Sequence, residues 1–298
     1  MKDNHKLLSF ILLLGLGAVW GSSFIIMKKA SVVFSFWQIS ALRLIFAGAI
    51  AIPLVYKHLH KIKKAEWSGI FIVSIIGNII PSLLFAFASS RINSATSGIL
   101  NALSPIFTLL LGMWLYDFVP KRFHFLGAFL GILGCILVLQ GKDTMNVQVP
   151  NLWFYYMLPV LGSFCYGISV NTIKSKLQNL KPIISGATPF LIGGCFGLLV
   201  LPFTHTKMPL VFDTQFINAL MLLAILGIVG STISMVLFNK LVQLNSAMFA
   251  SSVTFIMPVF ALLWGIWDHE NIRPLQVMGM LIILFAVYII RQGDRMAK

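Results

Sequence analysis

The chain has 298 residues, of which 58% are hydrophobic and only 10% charged, with a net charge of +14. A soluble domain carries about 25% charged residues, so these proportions exclude a water-soluble fold of this size. They also weigh against the nucleic-acid partner that so basic a soluble protein would suggest, because the Lys and Arg residues fall in short breaks between apolar runs, where such residues set membrane orientation.

Nearly every apolar run is about 17–25 residues long, enough to cross a bilayer as a helix. Ten spans are predicted. The first five cover 7–27, 34–56, 66–88, 93–115 and 122–140, and the second five 153–173, 182–203, 215–238, 245–267 and 273–291. The start, Met1 to Lys6 before an apolar run, resembles a signal peptide. It lacks a small-x-small cleavage site, and the run continues through Trp20 to Met27, so an uncleaved first span is expected. Cys135, Cys165 and Cys195 lie inside apolar runs and read as small packing residues, not a disulfide set. With both termini on the cytoplasmic side, the inner loops collect most of the basic residues; Lys28 and Lys29 are the main exceptions.

The chain is written twice. Asn93-Ser94-Ala95 and Asn245-Ser246-Ala247 open two segments that register without a gap from their prolines on. Pro105 meets Pro258, Phe107 meets Phe260, Gly112 meets Gly265, Trp114 meets Trp267 and Asp117 meets Glu270. Gly77-Asn78 with Phe85 matches Gly230-Ser231 with Phe238. Trp20-Gly21 matches Tyr166-Gly167, with Lys28 and Lys174 seven residues after the glycines. A duplication implies two like units, expected at 7–141 and 152–292 with the polar patch 141–151 between them. Five spans is an odd number, so the second unit crosses upside down relative to the first. The expected fold is an all-α integral membrane protein of ten helices in two inverted five-helix repeats, an architecture of transporters with the substrate site between the halves near mid-depth.

These residues resemble a known family. WGSSFIIMKK in the first span, ALRL in the second, and a Pro-centred fourth span ending in an acidic residue are together similar to the EamA-like branch of the drug/metabolite transporter superfamily, across about 10–140 and 153–292. The acidic residue, usually Glu in the family, is Asp117 here, while Glu270 keeps it in the second half. The resemblance implies a carrier of the bacterial inner (plasma) membrane that moves amino acids, purines, drugs or other small metabolites, usually outward.

Candidate site residues follow from depth, at about 1.5 Å of rise per residue. Pro105 and Pro258 fall near the middle of the bilayer from opposite sides. A mid-helix proline frees the carbonyl four residues earlier, at Asn101 and Thr254, and such groups are tolerated only inside protein or facing a wet cavity. The competing reading is a kink satisfied by a neighbouring Ser or Thr. Trp20 and Tyr166 also fall near mid-depth beside small residues, as pocket rings or as plain helix packing. Asn78, Ser231 and Ser234 are further mid-depth polar groups, as pathway residues or interhelical glue. Arg43 is the one charge well inside a span. It could hold a substrate carboxylate, pair with Glu270 or Asp268 as a gate, or snorkel to the headgroups. Asp117 and Glu270 are candidate gate or helix-end contacts at opposite faces.

No Asp or Glu is expected mid-membrane, and His5, His58, His60, His124, His205 and His269 fall in tails or loops. No HExxH, GxSxG, Walker A or GxGxxG pattern appears where it could act. No enzyme, cofactor or metal is therefore expected. The reading is a secondary carrier exporting small metabolites by alternating access. Alternatives are an importer or antiporter of phosphorylated or nucleotide-linked sugars, which would need more than one deep cation, and a passive channel. The residues leave open coupling to protons, and a monomer or a homodimer.

Overall fold

In lipid every backbone polar group needs an internal partner, and this chain meets that demand with helices alone: the described residues contain no strand. The computed structural model describes residues 2–89, 91–92, 94–140, 152–204, 213–267 and 274–295. Asp268, Glu270 and the patch 141–151 lie outside them.

The helices are α1 (Lys2–Ala30), α2 (Phe36–Val55), α3 (Lys64–Ser89), α4 (Ser94–Asn101), α5 (Ser104–Leu115) and α6 (Arg122–Gln140), then α7 (Leu152–Lys176), α8 (Pro182–Val200), α9 (Thr214–Leu244), α10 (Ala247–Ser251), α11 (Val253–Trp267) and α12 (Pro274–Arg295). Among the described residues, six helices are long and apolar enough to cross a membrane, and four shorter apolar ones accompany them. Starts are set by local chemistry. Ser35 and Gln38 exchange a capping box at α2, Asp213 accepts the Phe216 N–H at α9, and Ser246 accepts the Phe249 N–H at α10, pairing N–H groups that a helix start leaves open.

Two stretches differ from single straight spans. The run 93–115 breaks at Ala102–Leu103 and the run 245–267 at Ser252. In the first, Pro105 sits in the opening turn of α5 instead of mid-helix. Its ring would clash with the Asn101 carbonyl in a continuous helix, so the helix ends at Asn101 and restarts. In the second, Pro258 lies inside α11 and the break precedes it. A further departure is a single π turn in each of two helices, at Ile75–Ile79 of α3 and Ile228–Ile233 of α9.

Packing pairs α6 with α12, α2 with α8, α1 with α11 and α5 with α7. Backbones approach closely where glycine permits. A Cβ on Gly48 of α2 would lie 2.8 Å from the Gly194 Cα of α8. A Cβ on Gly21 of α1 would meet Met257 and Phe260 of α11, and one on Gly167 of α7 would meet Phe107 and Thr108 of α5. Small residues at such crossings let helices gain contact in lipid, where the hydrophobic effect does not drive them together. Large apolar side chains such as Phe129, Leu199 and Phe203 face outward, as a lipid-facing surface requires.

Candidate functional site

Between the paired helices lies a cavity of about 940 Å³, its open mouth included. Every helix except α6 and α12 contributes to its described lining. Of the residues singled out from sequence, Trp20, Arg43, Asn78, Asn101, Tyr166 and Thr254 all line it, and Ser234 does not.

The two π turns form part of its wall. A π turn shifts hydrogen bonding to the fifth residue back and opens gaps in the carbonyl ladder. The Gly230 carbonyl in the α9 turn accepts from the Trp20 indole N–H at 2.9 Å, and the Trp20 ring rests against Phe238 at 5.3 Å. Ser231 Oγ donates to the Leu226 carbonyl at 3.0 Å, five residues back, and accepts from Arg43 Nε at 2.8 Å. Arg43 thus turns inward to the protein; among the described residues its hydrogen-bond partner is a hydroxyl, not a carboxylate. Ser234 also bonds five residues back, to the Val229 carbonyl at 2.7 Å, and is buried in its own helix.

Asn78 belongs to the α3 π turn. Its amide nitrogen is buried and has no hydrogen-bond partner among the described residues, as is true of the Ser82 and Ser169 hydroxyls. Tyr166 stacks on Phe85 with ring centres 5.8 Å apart and planes 16° from parallel.

Asn101 closes α4. Its carbonyl accepts from Ser104 Oγ at 2.7 Å, and its amide nitrogen reaches Met257 Sδ at 3.3 Å. The carbonyl that the proline frees is therefore satisfied by a neighbouring serine, while the Asn101 side chain still faces the cavity. Thr254 Oγ1 donates to the Ser251 carbonyl at 3.0 Å. Asp117 is exposed just past α5, away from the cavity lining, with φ 51°. In that left-handed conformation, which Asp tolerates better than most residues, the following Phe118 N–H reaches back to the Gly112 carbonyl at 2.9 Å.

Sequence reasoning missed Ser82, Ser104 and Ser169 as lining residues. Ser82 and Ser169 lie one helical turn beyond Asn78 and Tyr166, so extending those faces by four and three residues would have found them. The described lining carries one charge, Arg43, among hydroxyls, amides, thioethers and aromatic faces, groups that bind and orient a ligand.

The sequence profile of the EamA-like transporter family matches residues 7–140 and 153–292. Among curated relatives, "Uncharacterized transporter YvbV" of Bacillus subtilis is 21% identical over 100% of this chain and 96% of its own length. "Uncharacterized inner membrane transporter YedA" of Escherichia coli is 19% identical over 98% and 94%. A solved crystal structure superposes with a TM-score of 0.74 at 14% identity, covering 99% of each chain, a likeness of fold. The chain belongs to the EamA-like transporter family of the drug/metabolite transporter superfamily, and is a multi-pass membrane transporter, not an enzyme.

Proposed function

We propose that this protein is a secondary carrier of the bacterial inner membrane that exports a small metabolite by alternating access, with ten spans in two inverted five-helix repeats and both termini in the cytoplasm. One observation carries the reading. Positions matched between the two halves of the sequence meet as mates around one cavity. Trp20 packs on Phe238 as its match Tyr166 packs on Phe85. Gly21 abuts Phe260 as Gly167 abuts Phe107, and the π turns hold the matched pairs Gly77-Asn78 and Gly230-Ser231. Two like units enclosing a site at their junction are the architecture in which rocking one against the other exposes the site to either side.

In this reading Trp20, Arg43, Asn78, Asn101, Tyr166 and Thr254 contact the substrate, and Ser234, turned into its own helix, is replaced in that role by Ser231. The π turns and the breaks before α5 and α11 are where backbone bonds are weakest, and where rocking would bend the helices. The test is a comparison of medium and cytoplasm. Bacteria overexpressing the protein are profiled against an Arg43→Ala, Asn101→Leu double variant of equal expression. A compound enriched outside only with the intact protein supports export and names its substrate; no difference in any compound refutes constitutive export.

A further inference from the structure

The described cavity wall carries one cation and no carboxylate, and several of its polar groups have no partner. Some of the carbonyls at the cavity are taken by the protein itself. Gly230 O accepts from Trp20, Leu226 O from Ser231, Ser82 O from Ser40, Asn101 O from Ser104 and Ser251 O from Thr254. Left over are the Asn78 amide nitrogen and the hydroxyls of Ser82 and Ser169, each buried without a partner among the described residues. Ser82 and Ser169 are more than nine-tenths buried, so water does not easily replace a missing partner, and an unmade buried bond is costly.

These groups lie together. Asn78 and Ser82 are one turn apart on α3. A Cβ added to Gly77, beside Asn78, would collide with Ser169, so Ser169 of α7 sits against the α3 π turn. Ser40, one turn from Arg43 on α2, donates to the Ser82 carbonyl at 2.9 Å, so α2 lies against α3 beside this cluster, and Arg43 lines the same cavity. Arg43 uses its Nε on Ser231; its two Nη groups have no hydrogen bond among the described residues. Beside this cluster stands the Tyr166–Phe85 stack. Among the described residues no carboxylate lines the cavity.

We infer that the site selects a monoanion with a flat apolar body, an aromatic or similar carboxylate without an ammonium group, and discriminates against the corresponding zwitterionic amino acid. The inference rests on reading the cavity as the carrier's substrate site. A carboxylate takes charge-assisted bonds from Arg43 and from the orphaned donors, and its ring lies along the aromatic stack. An ammonium group in the same place would find a guanidinium nearby and, among the described residues, no carboxylate to offset it. A site built from unpaired polar groups rejects a ligand that leaves them unpaired more strongly than an apolar pocket rejects a misfit.

Three probes sharing one ring separate the cases: 3-phenylpropanoate, phenylalanine and phenethylamine, measured by calorimetry on the purified full-length protein at neutral pH. The monoanion is expected to bind at least about tenfold more tightly than phenylalanine, with phenethylamine weakest. Arg43→Gln is expected to weaken the monoanion at least about tenfold and to erase the ranking. Equal or tighter binding of phenylalanine or phenethylamine overturns the inference. So does binding of none of the three, or an Arg43→Gln variant that keeps the ranking. Counterflow in loaded vesicles keeps the two readings distinguishable. Counterflow of phenylalanine in preference to the monoanion overturns the anion site and leaves the carrier standing; the expected binding order without counterflow of the monoanion supports the site and removes the carrier.

Discussion

Gly48→Ala tests whether the α2–α8 crossing is set by backbone contact. The new methyl would lie 2.8 Å from the Gly194 Cα and 2.9 Å from the Phe190 carbonyl oxygen. Ordinary contact begins at 3.4 Å, so the helices must part by about 0.6 Å (3.4 minus 2.8) along a rigid, backbone-lined crossing. Such overpacking costs about 1–3 kcal/mol, against which alanine's better helix propensity returns about 1 kcal/mol. Gly15→Ala is the matched control. It lies on α1 with nothing within 4 Å of its Cβ, so it keeps the propensity gain alone. The difference between the two variants is then the overpacking term, about 1–3 kcal/mol. Unfolding of each full-length variant by SDS from mixed micelles measures it. In the Gly48→Ala, Gly194→Ala double variant the second methyl enters a crossing already opened, so its cost should be less than additive. Equal stability of Gly48→Ala and Gly15→Ala would refute the close-contact account.

Other substitutions probe the cavity and its frame. Trp20→Phe keeps most of the ring but leaves the Gly230 carbonyl without its donor; a loss of about 1–3 kcal/mol is expected in the same unfolding assay. Arg43→Lys keeps a charge but loses the planar fork and its Nε bond to Ser231, and should raise the transport KM about tenfold or more, read in vesicle uptake. Ser231→Ala should raise KM in that assay while Ser234→Ala leaves it unchanged, because only the former lines the cavity. Lys174 Nζ donates to the Val242 and Asn245 carbonyls at 3.0 and 2.7 Å, closing the end of α9. Lys174→Met should cost about 1–3 kcal/mol of stability.

Membrane character was legible because length and hydropathy are local sums, and matched pairs such as Trp20 and Tyr166 were legible because the chain repeats its own spacing. Counting rise per residue picked out polar groups most of which line one cavity. It does not choose between neighbouring faces. Ser231 and Ser234 are three residues apart, and helical periodicity puts them on one side. The α9 π turn inserts extra backbone between them, so Ser231 reaches Arg43 while Ser234 folds onto Val229. No residue in IVGSTI demands a π turn; packing against Trp20 and Arg43 accompanies it, and those partners are far away in sequence. The break at Ala102–Leu103 was half legible: Pro105 announced a disturbance, but a proline alone does not say whether the helix bends or restarts. Glu270, offered as a gate partner, lies outside the described residues.

The Arg43–Ser231 bond also bears on how the protein is made. The two residues are 188 positions apart. At a synthesis rate of about 5–20 residues per second, roughly 10–40 s separate them at the ribosome. Through that interval α2, an apolar helix, holds a cation for which its hydroxyl partner does not yet exist, and an isolated charge in such a helix is costly. Helices α1 to α6 are therefore an unfinished object until α9 is made, and a chain truncated after α6 would present an unpaired guanidinium to quality control.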